Sequence, residues 1–143
     1  EWLDQQRPFS LILLDLDEFK PINDIHGHNA GDAMLQHIAE QLKLNVRADD
    51  LICRWGGDEF LIALANISDQ ETKDIATNLT KVIATPFNYT KADQAHTLVV
   101  SASLGIACYP EHATSLKALV ECADVAMYTI KRTSKNNFAF YQI

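Results

Sequence analysis

Two glycines followed directly by two carboxylates separate two short apolar runs, in the segment RWGGDEF at residues 54–60. The runs at 51–53 and 61–64 have the length of strands, so the segment predicts a β-hairpin with Asp58 and Glu59 at its tip. Gly56 and Gly57 would allow positive φ and let a bulky group, such as a phosphate chain, approach without meeting a Cβ. Carboxylates at such a turn suggest metal ligands beside that phosphate.

The chain of 143 residues, 48% of them apolar, has the size and composition of one domain spanning residues 1–143. Its formal charge of −7 argues against a nucleic-acid surface, which needs an excess of Lys and Arg on one face. No apolar run approaches the roughly 20 residues of a membrane span. The cysteines are odd in number and widely spaced, at Cys53, Cys108 and Cys122. They suggest no disulfide framework, so a reducing cytoplasm is the expected setting.

Hydrophobic periodicity predicts a mixture of helices and hairpins. In chain order we expect a strand at 8–14, a helix at 29–44, a hairpin at 50–65, a helix capped by Ser68 or Asp69 and ended by Pro86, a hairpin turning at 91–94 into a long strand at 97–109, a helix capped by Ser115, and a strand at 138–141. The order β-α-β-β-α-β-β-α-β predicts an α+β fold, with a largely antiparallel sheet and helices packed on it.

Asp15 and Asp17 lie two apart at the end of the first strand, so both side chains would leave from one face of the sheet. With Asp58 and Glu59 they form a set that can hold magnesium, an ion that favours one or two carboxylates plus substrate phosphates. The alternative is that Asp15 and Asp17 only end the strand and begin a turn. Asp32 also has a structural interpretation, because a carboxylate in the first turn of a helix is stabilised by the helix dipole.

Residues 15–35 (DLDEFKPINDIHGHNAGDAML), together with 54–60, closely resemble the GGDEF family of diguanylate cyclases. The resemblance extends through residues 103–107 (SLGIA) and 123–128 (ADVAMY) to Lys131, and so covers nearly the whole chain. It implies a ferredoxin-like or palm-like nucleotide cyclase architecture. It also implies the condensation of two GTP molecules into cyclic di-GMP.

The same resemblance implies a metal site and a catalytic turn. Asp15, Asp58 and the backbone carbonyl of Leu16 would hold two magnesium ions, with manganese as an alternative. Asp58 and Glu59 would be the catalytic residues, although Glu59 would leave an extended backbone on the opposite side from Asp58. Whether Glu59 supports the hairpin or assists the attacking hydroxyl stays open.

For the substrate, the resemblance assigns guanine recognition to Asn23 and Asp32. A carboxylate can accept from guanine N1 and N2 and an amide can donate to O6 or N7, which favours GTP over ATP. The residues expected against the phosphates are Gly56, Gly57, Lys131, Lys135 and Lys20. Lys131 and Lys135 would share one face of the last helix, but Lys135 replaces a common arginine. The alternatives to phosphate binding are that the lysines near the end of the last helix only compensate its dipole, and that Lys20 is an ordinary exposed lysine.

Arg47 and Asp50 form an Arg-x-x-Asp motif with five residues before Gly56. By resemblance this is an inhibitory site for the product cyclic di-GMP, because arginine can engage phosphate and guanine edges bidentately. An ordinary surface ion pair is the alternative.

We therefore expect a magnesium-dependent diguanylate cyclase that works as a face-to-face homodimer, each copy holding one GTP. The competing interpretations are a non-catalytic GTP-binding or cyclic di-GMP-binding module that regulates a neighbouring domain, and another kind of nucleotide cyclase. The family's leader helix does not precede the first strand, so we expect a domain excised from a longer protein. Its neighbours would be a sensory domain and an EAL phosphodiesterase domain. The domain itself would be cytoplasmic, without nucleic-acid or membrane contact, even if its parent protein is membrane-anchored.

Overall fold

The computed structural model describes residues 7–142 and contains two sheets and four helices within that range. The strands are β1 (Phe9–Asp17), β2 (Leu51–Arg54), β3 (Glu59–Ala65), β4 (Phe87–Lys91), β5 (Gln94–Leu98), β6 (Ser101–Tyr109) and β7 (Asn137–Phe140). The helices are α1 (Lys20–His26), α2 (His28–Leu44), α3 (Asp69–Ala84) and α4 (Leu116–Arg132). None of these helices combines the length and apolar character needed to cross a membrane.

The main sheet has five strands in the order β2-β3-β1-β6-β7. Strand β1 is central and pairs antiparallel with β3 and β6, whereas β7 pairs parallel with β6. Because β1 is covered on both faces, its sequence is a continuous apolar run rather than an alternating one. The register places Asp15 between Glu59 of β3 and Ser103 of β6. Residues from three strands therefore meet at one end of the sheet.

Helices cover both faces of this sheet. Ile12 and Leu14 belong to a core cluster with residues of α2 and α3, whereas Leu11 and Leu13 pack with residues of α4. Helix α4 approaches β6 closely at Gly105, where an added Cβ would collide with the backbone of Ala123 and Met127. A residue with a side chain at 105 would push α4 away from the sheet.

The predicted α+β class and the largely antiparallel sheet are confirmed, but two details of the element order are wrong. A short helix, α1, was missed; Pro21 lies in its first turn, where the missing N–H of proline has no partner to lose. The strand expected at 97–109 is divided into β5 and β6, since β5 pairs only with β4 in a separate two-stranded sheet. Ser68 and Ser115 cap their helices as predicted.

Candidate active site

The carboxylates of β1 and of the hairpin β2–β3 meet at one end of the sheet. The backbone N–H of Leu16 donates to the carbonyl of Asp58 at 3.1 Å, which ties the hairpin turn to the end of β1. Glu59 lies directly opposite Asp15 in the antiparallel register, so the two side chains share a face. Asp58 precedes β3, and the alternation expected for Asp58 and Glu59 in one extended strand therefore does not apply.

Negative charge is crowded at this end of the sheet. Burial raises the pKa of Asp15 from 3.8 to about 6; repulsion by Asp58 and Glu59 adds to this, and Lys131 opposes it. Burial also raises the pKa of Glu59, with further contributions from Asp58 and Asp124. The raised pKa means that the ionised carboxylate is disfavoured in this cluster and would be stabilised by a nearby positive charge. We refer to Asp15, Asp58 and Glu59 as the acidic edge.

Lys131 supplies part of the missing positive charge. Its Nζ donates to the carbonyl of Leu16 at 2.8 Å and lies 3.4 Å from Asp15 Oδ2 and 3.3 Å from Asp17 Oδ1. The carbonyl that the family resemblance assigns to a metal is thus already in contact with a cation. Hard oxygen donors of this kind suit magnesium. No three His, Cys, Asp or Glu side chains within 7–142 form a ready cation cage, which is compatible with an ion that also takes ligands from substrate phosphates.

Asp17 differs from Asp15 although only one residue separates them. Its carboxylate is 1% exposed and accepts from Ser101 Oγ at 2.6 Å, Ser103 Oγ at 2.7 Å and the Asn136 N–H at 2.9 Å. Burial works to raise the pKa of Asp17, but these hydrogen bonds and Lys131 lower it overall. Asp17 therefore anchors β6 and the segment after α4 to β1.

The expectation that Lys131 and Lys135 share a helix face is wrong. Helix α4 ends at Arg132, and Lys135 lies beyond it with φ of 51°. The Lys135 ammonium instead pairs with Glu18 Oε1 at 2.9 Å, and this contact raises the pKa of Lys135. Both lysines still lie near the end of β1, because Glu18 directly follows that strand. Lys20 is exposed, at the start of α1.

The two residues predicted to read guanine lie on α1 and α2. Asp32 lines a hollow of about 320 Å³ whose other walls include Leu35, Ile52, Arg54 and Phe60. The lining combines apolar side chains with a few polar ones, which is typical of a site for a small molecule. Asp32 belongs to the second turn of α2, not the first as predicted, because the helix begins at His28.

Asn23 reaches the same region from α1. Its side chain lies against the backbone of Gly31, where an added Cβ would overlap Asn23 Oδ1. Gly31 directly precedes Asp32, so the absence of a side chain at 31 lets Asn23 approach the second predicted base reader. The last residue of α1, His26, is held by a contact of 2.8 Å between its Nδ1 and His96 Nδ1 on β5. No local pattern predicts this histidine pair, since 70 residues separate its members.

The hairpin turn is open to an approaching ligand, but not in the way expected. Neither Gly56 nor Gly57 has positive φ, so that part of the prediction is wrong. An added Cβ at Gly57 would meet nothing within 4 Å, whereas one at Gly56 would lie 3.0 Å from Glu59 Oε1. The conformation of the turn is stabilised by Arg54, which donates to the carbonyls of Gly56 and Gly57. This role of Arg54 was not predicted from the sequence.

The predicted product site is an internally bonded pair in this structure. Arg47 Nε and Nη2 donate to Asp50 Oδ2 and Oδ1 at 3.0 and 2.9 Å, and Nη2 also donates to the Ala65 carbonyl at 2.6 Å. The Asp50 side chain is fully covered, while that of Arg47 is 41% exposed. The hydrogen bond to Asp50 raises the pKa of Arg47. Arg47 is therefore a cation held in a fixed orientation at the surface.

An acidic edge beside a base-sized hollow, on an antiparallel sheet of this topology, defines a nucleotide cyclase type of domain. The sequence profile described as "Diguanylate cyclase, GGDEF domain" matches residues 1–137. The chain belongs to the GGDEF domain family.

Curated relatives and solved structures agree with this assignment. The bifunctional diguanylate cyclase/cyclic di-GMP phosphodiesterase MucR of Pseudomonas aeruginosa is 38% identical over 136 residues, covering 95% of this chain and 19% of MucR. The diguanylate cyclase DosC of Escherichia coli K12 is 35% identical, covering 94% of this chain and 29% of DosC. The crystal structure of the GGDEF domain of TpbB (PA1120) from Pseudomonas aeruginosa superposes with a TM-score of 0.91 at 35% identity, covering 99% of this chain and 87% of that one. The chain thus spans less than a third of the length of these two curated relatives.

Proposed function

We propose that this domain is a magnesium-dependent diguanylate cyclase, which condenses two GTP molecules into cyclic di-GMP and pyrophosphate. The observation that carries the proposal is the juxtaposition, on one hairpin, of the acidic edge and the base-sized hollow. Asp58 directly precedes β3, Glu59 begins it, and Phe60, the next residue, lines the hollow with Asp32. A nucleotide whose base occupies the hollow would extend its phosphates towards the carboxylates.

The side chains have complementary tasks in this proposal. Asp32 accepts from guanine N1 and N2, and Asn23 donates to the base, so adenine is disfavoured by its reversed hydrogen-bond pattern. Asp15 and Asp58, with the Leu16 carbonyl, are the residues that would hold two divalent cations. Magnesium bound there with the triphosphate would lower the pKa of the attacking 3′-hydroxyl and neutralise charge developing on the α-phosphate.

Two copies of the domain are needed for the reaction. Each copy holds one GTP and the product is two-fold symmetric, so each 3′-hydroxyl must attack the α-phosphate held by the other copy. Glu59 shares a face with Asp15 and has a raised pKa. A carboxylate with these properties is suited to act as a general base that takes up the proton of the attacking hydroxyl.

The first experiment is to incubate the protein with GTP and magnesium and to separate the nucleotides by chromatography. We expect cyclic di-GMP and pyrophosphate from GTP, and no cyclic dinucleotide from ATP. Asp58→Ala should abolish synthesis with a normal far-UV circular dichroism spectrum, whereas Asp49→Ala, which replaces an exposed carboxylate outside the site, should not. Full activity in Asp58→Ala would contradict the metal-site assignment.

A second function is supported by the pairing of Lys131 and Lys135 with carboxylates, because a phosphate would have to compete with these partners for each ammonium. In that case the domain binds GTP or cyclic di-GMP without turnover and regulates a neighbour. GTP binding by a demonstrated dimer that forms no product would favour this function over the first.

The relatives support a proposal about the wider setting of the domain. We propose that residues 1–143 are one GGDEF domain of a longer cytoplasmic or membrane-anchored protein, with a sensory and an EAL domain as neighbours. MucR, whose name includes both a cyclase and a phosphodiesterase activity, matches over only part of its length. Cyclic di-GMP would inhibit through Arg47 and Asp50, where Arg47 presents a fixed, partly exposed guanidinium.

A further inference from the structure

Arg54 makes an unusual use of its donors. Its Nε donates to the carbonyl of Gly56 at 3.3 Å and its Nη2 to the carbonyl of Gly57 at 2.6 Å. No carboxylate within 7–142 forms an ion pair with this guanidinium. The planar fork of arginine can bridge two acceptors at a fixed spacing. Arg54 therefore holds two consecutive peptide units of the hairpin turn.

The orientation of these peptide units fixes the direction of two backbone donors. Both peptide bonds are trans, since the single cis bond within 7–142 is Tyr109-Pro110. In a planar trans peptide the C=O and the N–H point in opposite directions. With the carbonyls of Gly56 and Gly57 turned towards Arg54, the N–H groups of Gly57 and Asp58 must point away from it.

These two N–H groups have no hydrogen-bond acceptor in the described part of the chain, unlike the two N–H groups that precede them in the turn. Trp55 and Gly56 both donate to the carbonyl of Glu59, at 2.8 and 3.3 Å. Gly57 is exposed, and the space that a Cβ would take there is empty. Successive backbone N–H groups that face one open space form a concavity suited to an anion.

We propose that Arg54 is a positioning residue that holds the hairpin turn so that the N–H groups of Gly57 and Asp58 face the phosphate chain of the bound nucleotide. This inference rests on the proposed function, which places a triphosphate beside the acidic edge. Arg54 also lines the hollow that contains Asp32. The same side chain therefore connects the base end of the nucleotide site with its phosphate end.

The test compares ligands that share a base but differ in phosphates. We would measure by calorimetry, with magnesium present, the affinities of 3′-deoxy-GTP and 3′-deoxyguanosine, neither of which can be turned over. Arg54→Met keeps most of the stem that lines the hollow but removes the donors. We expect it to weaken 3′-deoxy-GTP roughly 10- to 100-fold, the range for a lost hydrogen bond to a charged group. The affinity for 3′-deoxyguanosine should change less than about twofold, a small effect by the same measure.

Two further variants separate orientation from charge. Lys43 lines the same hollow and, within 7–142, none of the hydrogen bonds that hold the turn comes from it, so Lys43→Met should leave the ratio of the two affinities unchanged. Arg54→Lys retains the charge but cannot bridge both carbonyls, and should resemble Arg54→Met. Wild-type affinity ratios in Arg54→Lys would show a role for charge alone and would overturn the inference.

Two other results of the calorimetry would also overturn the inference about Arg54. An equal loss for both ligands in Arg54→Met would place its effect in the hollow or in general stability and would overturn the inference. An unchanged ratio of the two affinities in Arg54→Met, with the melting temperature of the wild type, would also overturn it. If Arg54→Met does not fold, Arg54→Lys carries the same comparison. Because these ligands cannot react, the result is independent of turnover, and it is the absence of cyclic di-GMP from GTP that would reject the proposed function instead.

Discussion

Replacing Asp15 by asparagine should stabilise the metal-free protein while it removes a metal ligand. Burial and the neighbouring Asp58 and Glu59 raise the pKa of Asp15 from 3.8 to about 6. At about 1.4 kcal/mol per pKa unit, ionised Asp15 costs the folded state about 3 kcal/mol at neutral pH. The side chain is 19% exposed, so solvent screens this cost only in part. Because Asp15→Asn also takes a partner from Lys131, we expect a net gain of about 1 to 2 kcal/mol.

The pH dependence of this gain has a definite sign. An acid whose pKa is raised on folding binds more protons in the folded state, so its contribution to stability is fully present below the unfolded value of 3.8. That contribution is lost as the pH rises through about 6. Asp15→Asn does not titrate, so its advantage over the wild type should be near zero at low pH and complete above that range.

Asp17→Asn is the matched control, with the same chemical change two residues along the strand. The pKa of Asp17 is lowered on folding, so its carboxylate contributes stability above its ordinary value of 3.8 and loses it as the pH falls through the folded value. An amide cannot accept from both serines and Asn136 as the carboxylate does. We expect a loss of about 2 to 4 kcal/mol at neutral pH.

Urea unfolding of the three proteins in a chelator, repeated across pH, measures both effects. Magnesium should then raise the melting temperature of the wild type and not that of Asp15→Asn. If Asp15→Asn is less stable than the wild type at neutral pH in the chelator, the reasoning about the acidic edge is wrong. A gain of the same size at every pH would refute the electrostatic cause.

Three further predictions concern residues around this site. Gly31→Ala should displace the Asn23 side chain, which an added Cβ would overlap, and lower the affinity for 3′-deoxyguanosine about tenfold; unchanged affinity in calorimetry would remove Asn23 from base recognition. Lys131→Met should destabilise the metal-free protein by about 2 kcal/mol and increase the shift in melting temperature caused by magnesium, and equal shifts would contradict its role as a substitute cation. Arg47→Ala should weaken cyclic di-GMP binding at least about tenfold, and wild-type affinity in a filter-binding assay would exclude the predicted product site.

The sequence was sufficient for the elements whose patterns are local. Strand β1 was predicted because it is an unbroken apolar run, and the hairpin β2–β3 because its turn residues separate two such runs. The division between β5 and β6 was not predicted, since residues 97–109 have strand-like composition throughout. The division comes from pairing partners: β5 pairs with β4, and β6 pairs with β1. Pairing partners depend on the tertiary fold and leave no local pattern.

The candidate site shows the same division between local and distant information. The meeting of Asp15 with the hairpin turn was expected, because the family resemblance names both segments. The separate role of Asp17 was not, since its partners Ser101 and Ser103 lie 84 and 86 residues away. A charged residue in an otherwise buried strand was the available signal, and it was interpreted only as part of the acidic set. Arg54 was missed because its acceptors are backbone carbonyls, which no side-chain pattern identifies.

The opposite pKa shifts of Asp15 and Asp17 explain how a crowded acidic site is kept on a stable strand. A carboxylate that costs free energy would be expected to turn towards solvent if the end of the strand could move. The end of β1 cannot move easily, because Asp17 is bonded to β6 and to the segment after α4. On the other side, the N–H of Leu16, between the two aspartates, is bonded to the hairpin turn. Asp17 therefore supplies the stability that holds Asp15 in an unfavourable position, where a bound cation or a proton relieves the charge.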